Sequence, residues 1–141
     1  MITITDKKTC TGCYACTNIC PQNCIAMEKD EEGFWYPIIG KSKCIRCSLC
    51  EKVCPVLHKE DIQNNPQAYA CINRDEDIRL ESSSGGIFTL IAEQVIDDGG
   101  AVFGASFDRH FTVMHMYVET KEELYKLRGS KYVQSKIGDT Y

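Results

Sequence analysis

The 141-residue chain has no apolar run long enough to cross a bilayer, which argues against a membrane-spanning helix. It has no excess of positive charge: 16 lysines and arginines stand against 20 aspartates and glutamates, a net charge of −4. That balance argues against nucleic acid and against anionic lipid, both of which need a basic face. The opening MITITDKKTC lacks a basic stretch followed by an apolar core, so no secretory signal is expected and the chain reads as cytoplasmic. A nucleophile–base pair, a zinc motif and a nucleotide fingerprint are also missing. Histidine is scarce. His110 and His115 fall in or beside expected strands and read as structural, and His58 reads as solvent-facing.

What is present is cysteine. There are ten, and nine lie in the first 54 residues, with Cys71 alone beyond them. Disulfides rarely persist in a reducing compartment, so this density points to metal. Hydrophobic residues make up 43% of the chain, enough for a core. The skew in cysteine suggests two parts.

The first part contains a repeat. Cys10-x2-Cys13-x2-Cys16-x3-Cys20-Pro21 is matched by Cys44-x2-Cys47-x2-Cys50-x3-Cys54-Pro55. Three cysteines three residues apart wrap a loop around one cubane, and in this bacterial run the fourth ligates the other cluster. Applied here, cluster one takes Cys10, Cys13, Cys16 and Cys54, and cluster two takes Cys20, Cys44, Cys47 and Cys50. The fourth cysteine is expected to start a helix leading away. Zinc sites use paired CxxC units and not triplets followed by Cys-Pro. Radical enzymes with a three-cysteine cluster space their cysteines differently. Each proline fixes the local backbone and withholds an N–H near the cluster. Cys24 is surplus to ligation and reads as a small buried hydrophobe.

Residues 1–57 thus resemble a bacterial-type ferredoxin with two 4Fe–4S clusters. The resemblance implies a pseudo-twofold β-α-β repeat with a short helix after each cysteine loop. Between the loops, IAMEKDEEGFWYPII reads as a hairpin in which Ile25, Met27, Phe34, Tyr36 and Ile38 alternate around a turn at Asp30 to Gly33. Trp35 reads as a cover over a cluster. Each oxidised cluster with its thiolates adds about −2, so the loaded protein is more acidic than its side chains alone and is steered to basic patches on redox partners.

PVLHKEDIQNNPQ is polar and reads as a linker, placed at residues 58–66. The remainder, 67–141, reads as mixed α/β. QAYACIN is expected as a strand, with Cys71 in the core or serving as a reactive thiol. A helix follows SSSGG, with Ile87, Leu90, Ile91 and Val95 on one face and Asp97 to Gly100 stopping it. AVFGASFD and TVMHMYVE read as strands turned at Asp108 to His110. Thr120 to Arg128 reads as a helix with Thr120 and Glu123 forming a capping box. SSSGG is either a helix cap or an anion site at a helix start, and residues 129–131 are either an anion site or a turn.

SSSGGIFTLIAEQVIDDGGAVFGASFD followed by LRGSKYVQS resembles the N-terminal region of the coenzyme F-420 hydrogenase/dehydrogenase beta-subunit family. In that family a ferredoxin-like segment precedes such a region, and members pass electrons between iron–sulfur clusters, FAD and a deazaflavin or another substrate. The resemblance implies a flavin side formed by Ser83, Ser84, Gly85, Gly86, Arg128, Gly129, Ser130 and Lys131. Family members continue well past GDTY, so the chain is expected to hold an incomplete flavin domain, with FAD bound by the full-length protein. The expected fold is α+β, a two-cluster ferredoxin-like domain followed by an incomplete mixed α/β domain with unpaired strand edges and exposed apolar surface. The expected function is the electron-relay part of such an oxidoreductase, partnered by the rest of that enzyme or by a redox protein. The alternative is a stand-alone ferredoxin-type carrier whose C-terminal segment docks a partner.

Overall fold

Left-handed backbone shapes both cysteine loops. Gly12 (φ 64°) and Tyr14 (φ 62°) in the first loop have counterparts in Arg46 (φ 58°) and Ser48 (φ 59°) in the second. Each of these lies one residue before or after the middle cysteine, so the repeat is conformational as well as spelled. Left-handed residues in such a run fold a backbone into a concave nest whose N–H groups face an anion. This is a computed structural model describing residues 2, 3, 7–59 and 63–140. The chain divides into two units, Met1–Asn64 and Asn65–Tyr141.

In the first unit, Tyr14 precedes helix α1 (Ala15–Asn18) and Ser48 precedes helix α2 (Leu49–Lys52). Each helix carries the third cysteine of its loop and ends before the fourth. The fourth cysteine therefore does not start a helix: the Cys20 N–H closes back onto the Thr17 carbonyl, and the Cys54 N–H onto Glu51. Pro21 and Pro55 follow, where a helix could not continue. The flanking segments at 4–6 and 60–62, part of the implied β-α-β repeat and of the linker, lie outside the described residues.

Strands β1 (Ile25–Lys29) and β2 (Trp35–Ile39) form the expected hairpin, antiparallel, with Ile25 opposite Ile39 and Met27 opposite Pro37. The Asp30 carboxylate closes its turn by accepting from the Glu32 and Phe34 N–H groups, both at 3.1 Å. The inward face differs from the expected alternation. Phe34 and Ile38 are exposed, while Ile39 packs on the buried cluster of Ile2, Ile25 and four cysteines. The register sets this, since pairing Ile25 with Ile39 turns the odd-numbered side of β2 inward.

In the second unit, residues 67–72 form no strand and are exposed, Cys71 among them. Cys71 is therefore not a core residue. One backbone bond, from the Asn73 N–H to the Gly85 carbonyl at 2.6 Å, anchors the segment. Gly85 is required there, because a Cβ would collide with the Cys71 carbonyl oxygen. Buried Asn73 then organises the next turn. Its side chain donates to the Gly86 carbonyl and accepts from the Asp75 N–H. Asp75 in turn caps helix α3 (Glu76–Leu80), which periodicity did not reveal, by accepting from the Ile78 N–H.

Helix α4 (Ile87–Asp97) starts from left-handed Gly86 and has no side-chain cap, so the serines of SSSGG do not cap it. Ser82 instead donates to the Ile78 carbonyl of α3 at 2.6 Å. The buried face of α4 is Thr89 and Ala92, with Ile96 packed on the core, while Leu90, Ile91 and Val95 are exposed. The expected apolar face is thus turned outward. Strands β3 (Val102–Phe107) and β4 (Val113–Val118) pair antiparallel as read, around an Asp108 turn. Lys136 adds an isolated parallel bridge beside Met114. Residues Lys121–Lys126 are a 3₁₀ helix rather than an α-helix. Thr120 precedes it but reaches the Glu123 side chain and not a backbone N–H, so the capping box does not form. Leu124, fully buried, anchors this turn against Ala92, Val118 and Leu127. Helices with small antiparallel sheets make the fold α+β.

Candidate metal centre and second cavity

The hairpin and the two loops of the first unit enclose two cavities. One is lined by Cys10, Cys13 and Cys16 together with Cys54. The other is lined by Cys44, Cys47 and Cys50 together with Cys20 and Cys24. Each cavity thus combines three cysteines of one loop with the last cysteine of the other. The inward face of the hairpin roofs both, with Met27 and Pro37 over the first and Ile25 and Ile39 over the second. Among the described residues, no three His, Cys, Asp or Glu side chains are gathered as a single ion needs. Tetrahedral zinc draws thiolates to about 2.3 Å from one point. Thiols spread around a cavity suit a polynuclear group better.

The thiols are not equivalent. Burial pushes the Cys16 thiol up. The Cys24 N–H holds the Cys20 thiol down. Cys24 itself is buried, with its sulfur 3.4 Å from that of Cys20, and this contact pushes it up to about 11. Either sulfur can donate in this contact. Spacing placed Cys24 in the interior but did not reveal that it shares a cavity with four other cysteines.

A third cavity, of about 210 Å³, lies in the second unit. Ser82, Ser83, Ser84, Gly85 and Gly86 line it from one side, and Arg128 and Gly129 from the other. The structure thus brings together two segments more than forty residues apart, and the Ser83 and Ser130 hydroxyls meet at 3.3 Å. Lys131 is directed elsewhere. Its ammonium donates to the carbonyls of Lys126, Leu127 and Arg128, and burial lowers its pKa. Arg128 pairs with Glu81, a residue the sequence did not single out, while its Nε is buried with no partner.

Residues 9–57 match the family model for a 4Fe-4S dicluster domain. Residues 68–139, half of the chain, match the model for coenzyme F420 hydrogenase/dehydrogenase, beta subunit N-term. The chain belongs to the coenzyme F420 hydrogenase/dehydrogenase beta-subunit family. Its cysteine-rich unit binds 4Fe–4S and serves iron–sulfur electron transfer. That unit also has curated relatives. It is 38% identical over 55 residues to NADH-quinone oxidoreductase subunit I 2 of Geobacter metallireducens, covering 36% of this chain and 42% of that protein. It is 35% identical over 52 residues to an uncharacterized ferredoxin of Methanocaldococcus jannaschii, covering 37% and 66%. The chain is 34% identical over 74 residues to a ferredoxin of Mycolicibacterium smegmatis, covering 50% of this chain and 65% of that protein. The chain spans less than two thirds of the length of these three relatives.

The other polar residues of this family member have structural partners. His115 bonds the Ser135 hydroxyl at 2.8 Å, and His110 accepts from Arg109 at 3.1 Å. His58 is exposed. Among the described residues, no helix is long and apolar enough to cross a membrane.

Proposed function

We propose that the chain is the electron-relay part of a beta-subunit-like oxidoreductase, with one 4Fe–4S cluster in each cysteine cavity and the anionic part of a flavin against the third. The observation that carries this reading is the lining of the two cysteine cavities, three thiols from one loop and the fourth from the other in both. Cys10, Cys13, Cys16 and Cys54 would hold one cluster, and Cys20, Cys44, Cys47 and Cys50 the other. Bound clusters supply one-electron transfer, so two of them divide the two-electron chemistry of a flavin into single steps. The protein's part is to hold and shield. The left-handed loops would offer backbone N–H groups to the sulfurs and the hairpin would shield them, two of the levers that set a cluster's potential.

The third cavity supports a flavin role in part. Glycine backbone at the start of α4, serine hydroxyls and a guanidinium with a spare N–H suit a phosphate group. Its 210 Å³ falls below the ~300–1,000 Å³ of ordinary ligand pockets, so it takes a piece of a dinucleotide and not the whole. Glu81 already neutralises Arg128, and an incoming phosphate has to displace it. A second reading, a carrier whose C-terminal unit docks a redox partner, draws support from a 300 Å³ groove lined by Phe88, Ile91, Val95 and Phe103.

The first test is anaerobic purification with assay of iron, acid-labile sulfide and flavin. About eight irons and eight sulfides per chain are expected, with no tightly bound flavin. Zinc in their place would sink the cluster reading, and one flavin per chain would promote this chain to a complete flavoprotein. The shared ligation has its own test. Cys54→Ala and Cys16→Ala should lose the same cluster and leave the same residual reduced-state spectrum, while Cys50→Ala leaves the other. If Cys54→Ala resembles Cys50→Ala instead, the assignment fails.

A further inference from the structure

The two cysteine loops match in backbone but differ in one side chain. The left-handed residue before α1 is Tyr14, and the one before α2 is Ser48. A bulky residue at positive φ is unusual and persists where its surroundings hold it. Tyr14 is 6% exposed, its ring packs near Trp35 with centroids 6.5 Å apart, and it is one of the residues lining the cavity of Cys10, Cys13, Cys16 and Cys54. Its hydroxyl is buried with no hydrogen-bond partner among the described residues. Buried hydroxyls are nearly always bonded, so this one points to an acceptor that the protein does not itself provide. A cluster bound in that cavity would bring inorganic sulfide, an acceptor of the kind that is missing. The second loop has no such phenol, since Ser48 stands where Tyr14 does.

We propose that the Tyr14 hydroxyl donates an O–H···S hydrogen bond to the cluster held by Cys10, Cys13, Cys16 and Cys54, and thereby sets its potential above that of its twin. The proposal rests on the cluster reading of that cavity. Reduction adds negative charge to the sulfurs, so a donor favours the reduced form and raises the potential. Tyr14 is a positioning and tuning residue, not a ligand. The two clusters then differ in driving force although their ligand sets are alike, which gives electron flow a direction.

The test compares the full chain with Tyr14→Phe, purified without oxygen, by redox titration followed by electron paramagnetic resonance. Tyr14→Phe removes only an atom that no protein group bonds, so full iron and sulfide are expected. One midpoint potential should fall and the other should stay. Two unchanged potentials with iron intact would overturn the proposal. Should the variant lose iron, the wild-type protein decides. After brief exposure to D2O, a hydroxyl deuteron exchanges ahead of buried amides and should couple magnetically to one reduced cluster. Its absence would also overturn the proposal. Wild-type protein lacking iron and sulfide would overturn the cluster reading itself, and this proposal with it.

Discussion

The two units bury different chemistry. In the first, four of the six buried core residues are cysteines, Cys16, Cys24, Cys50 and Cys54, joined by Ile2 and Ile25. In the second, the core is Ala92, Val118, Leu124 and Leu127, with no cysteine in it. The interior of the first unit is therefore mostly thiol, and the proposed clusters would tie its folding to what those thiols bind. The second is held by ordinary apolar burial and keeps its polar residues at the rim of a cavity. The proposed clusters would make one fold metal-dependent and leave the other independent of metal, and the difference can be tested from either side.

The largest effect should come from iron removal. Anaerobic chelation is expected to abolish amide-exchange protection through residues 10–54 while leaving β3, β4 and the Leu124 turn protected. Uniform loss, or none, would erase the contrast. Next, Leu124→Ala removes a fully buried side chain and should cost about 2–5 kcal/mol in the second unit. Iron content should stay at its wild-type value, since Leu124 belongs only to the aliphatic core. A variant that loses iron would show that the two units depend on each other.

A smaller effect is expected from Gly85→Ala. The added methyl meets the Cys71 carbonyl, backbone that cannot swing away, so a cost of about 1–3 kcal/mol follows. It should fall on the third cavity, read as faster exchange of the Asn73 and Gly86 amides. An unchanged exchange rate at both would refute the close approach.

The smallest effect concerns acid. The N–H groups of Thr112 and His110 hold the Asp108 carboxyl below the usual carboxylate range. Its folded pKa is thus below its unfolded one. The turn gains stability that is present above the unfolded value, about 3.9, and is lost as pH falls through the folded value. Asp108→Ala should be less stable than the parent at neutral pH, and the gap should close in acid. A gap that persists below the folded pKa would show that the carboxylate charge is not its source.

The metal unit was legible because its ligands repeat at fixed spacing, and a chemical constraint that strict survives in one dimension. Cys10 to Cys20 and Cys44 to Cys54 could be paired off on paper. Most but not all of the residues expected on a flavin side come together at one cavity. Ser83, Ser84, Gly85, Gly86, Arg128 and Gly129 do gather at one cavity, with Ser130 at its edge through Ser83. Lys131 faces helix carbonyls instead, and Glu81 was not foreseen. The inward faces were misread twice, at β2 and at α4. A period-2 or period-3.6 pattern tells which side chains share a face but not which face the fold buries.

By itself, then, the sequence determined the chemistry: thiols enough for two clusters, too little positive charge for a nucleic-acid surface, and a hairpin between two equivalent loops. Only the tertiary structure decided that Cys24 stands among the second set of cysteines and that the Tyr14 hydroxyl is buried with no partner among the described residues. Ligand type and spacing are local and covalent. Sharing and orphaning are properties of neighbours, and neighbours exist only once the chain has closed on itself.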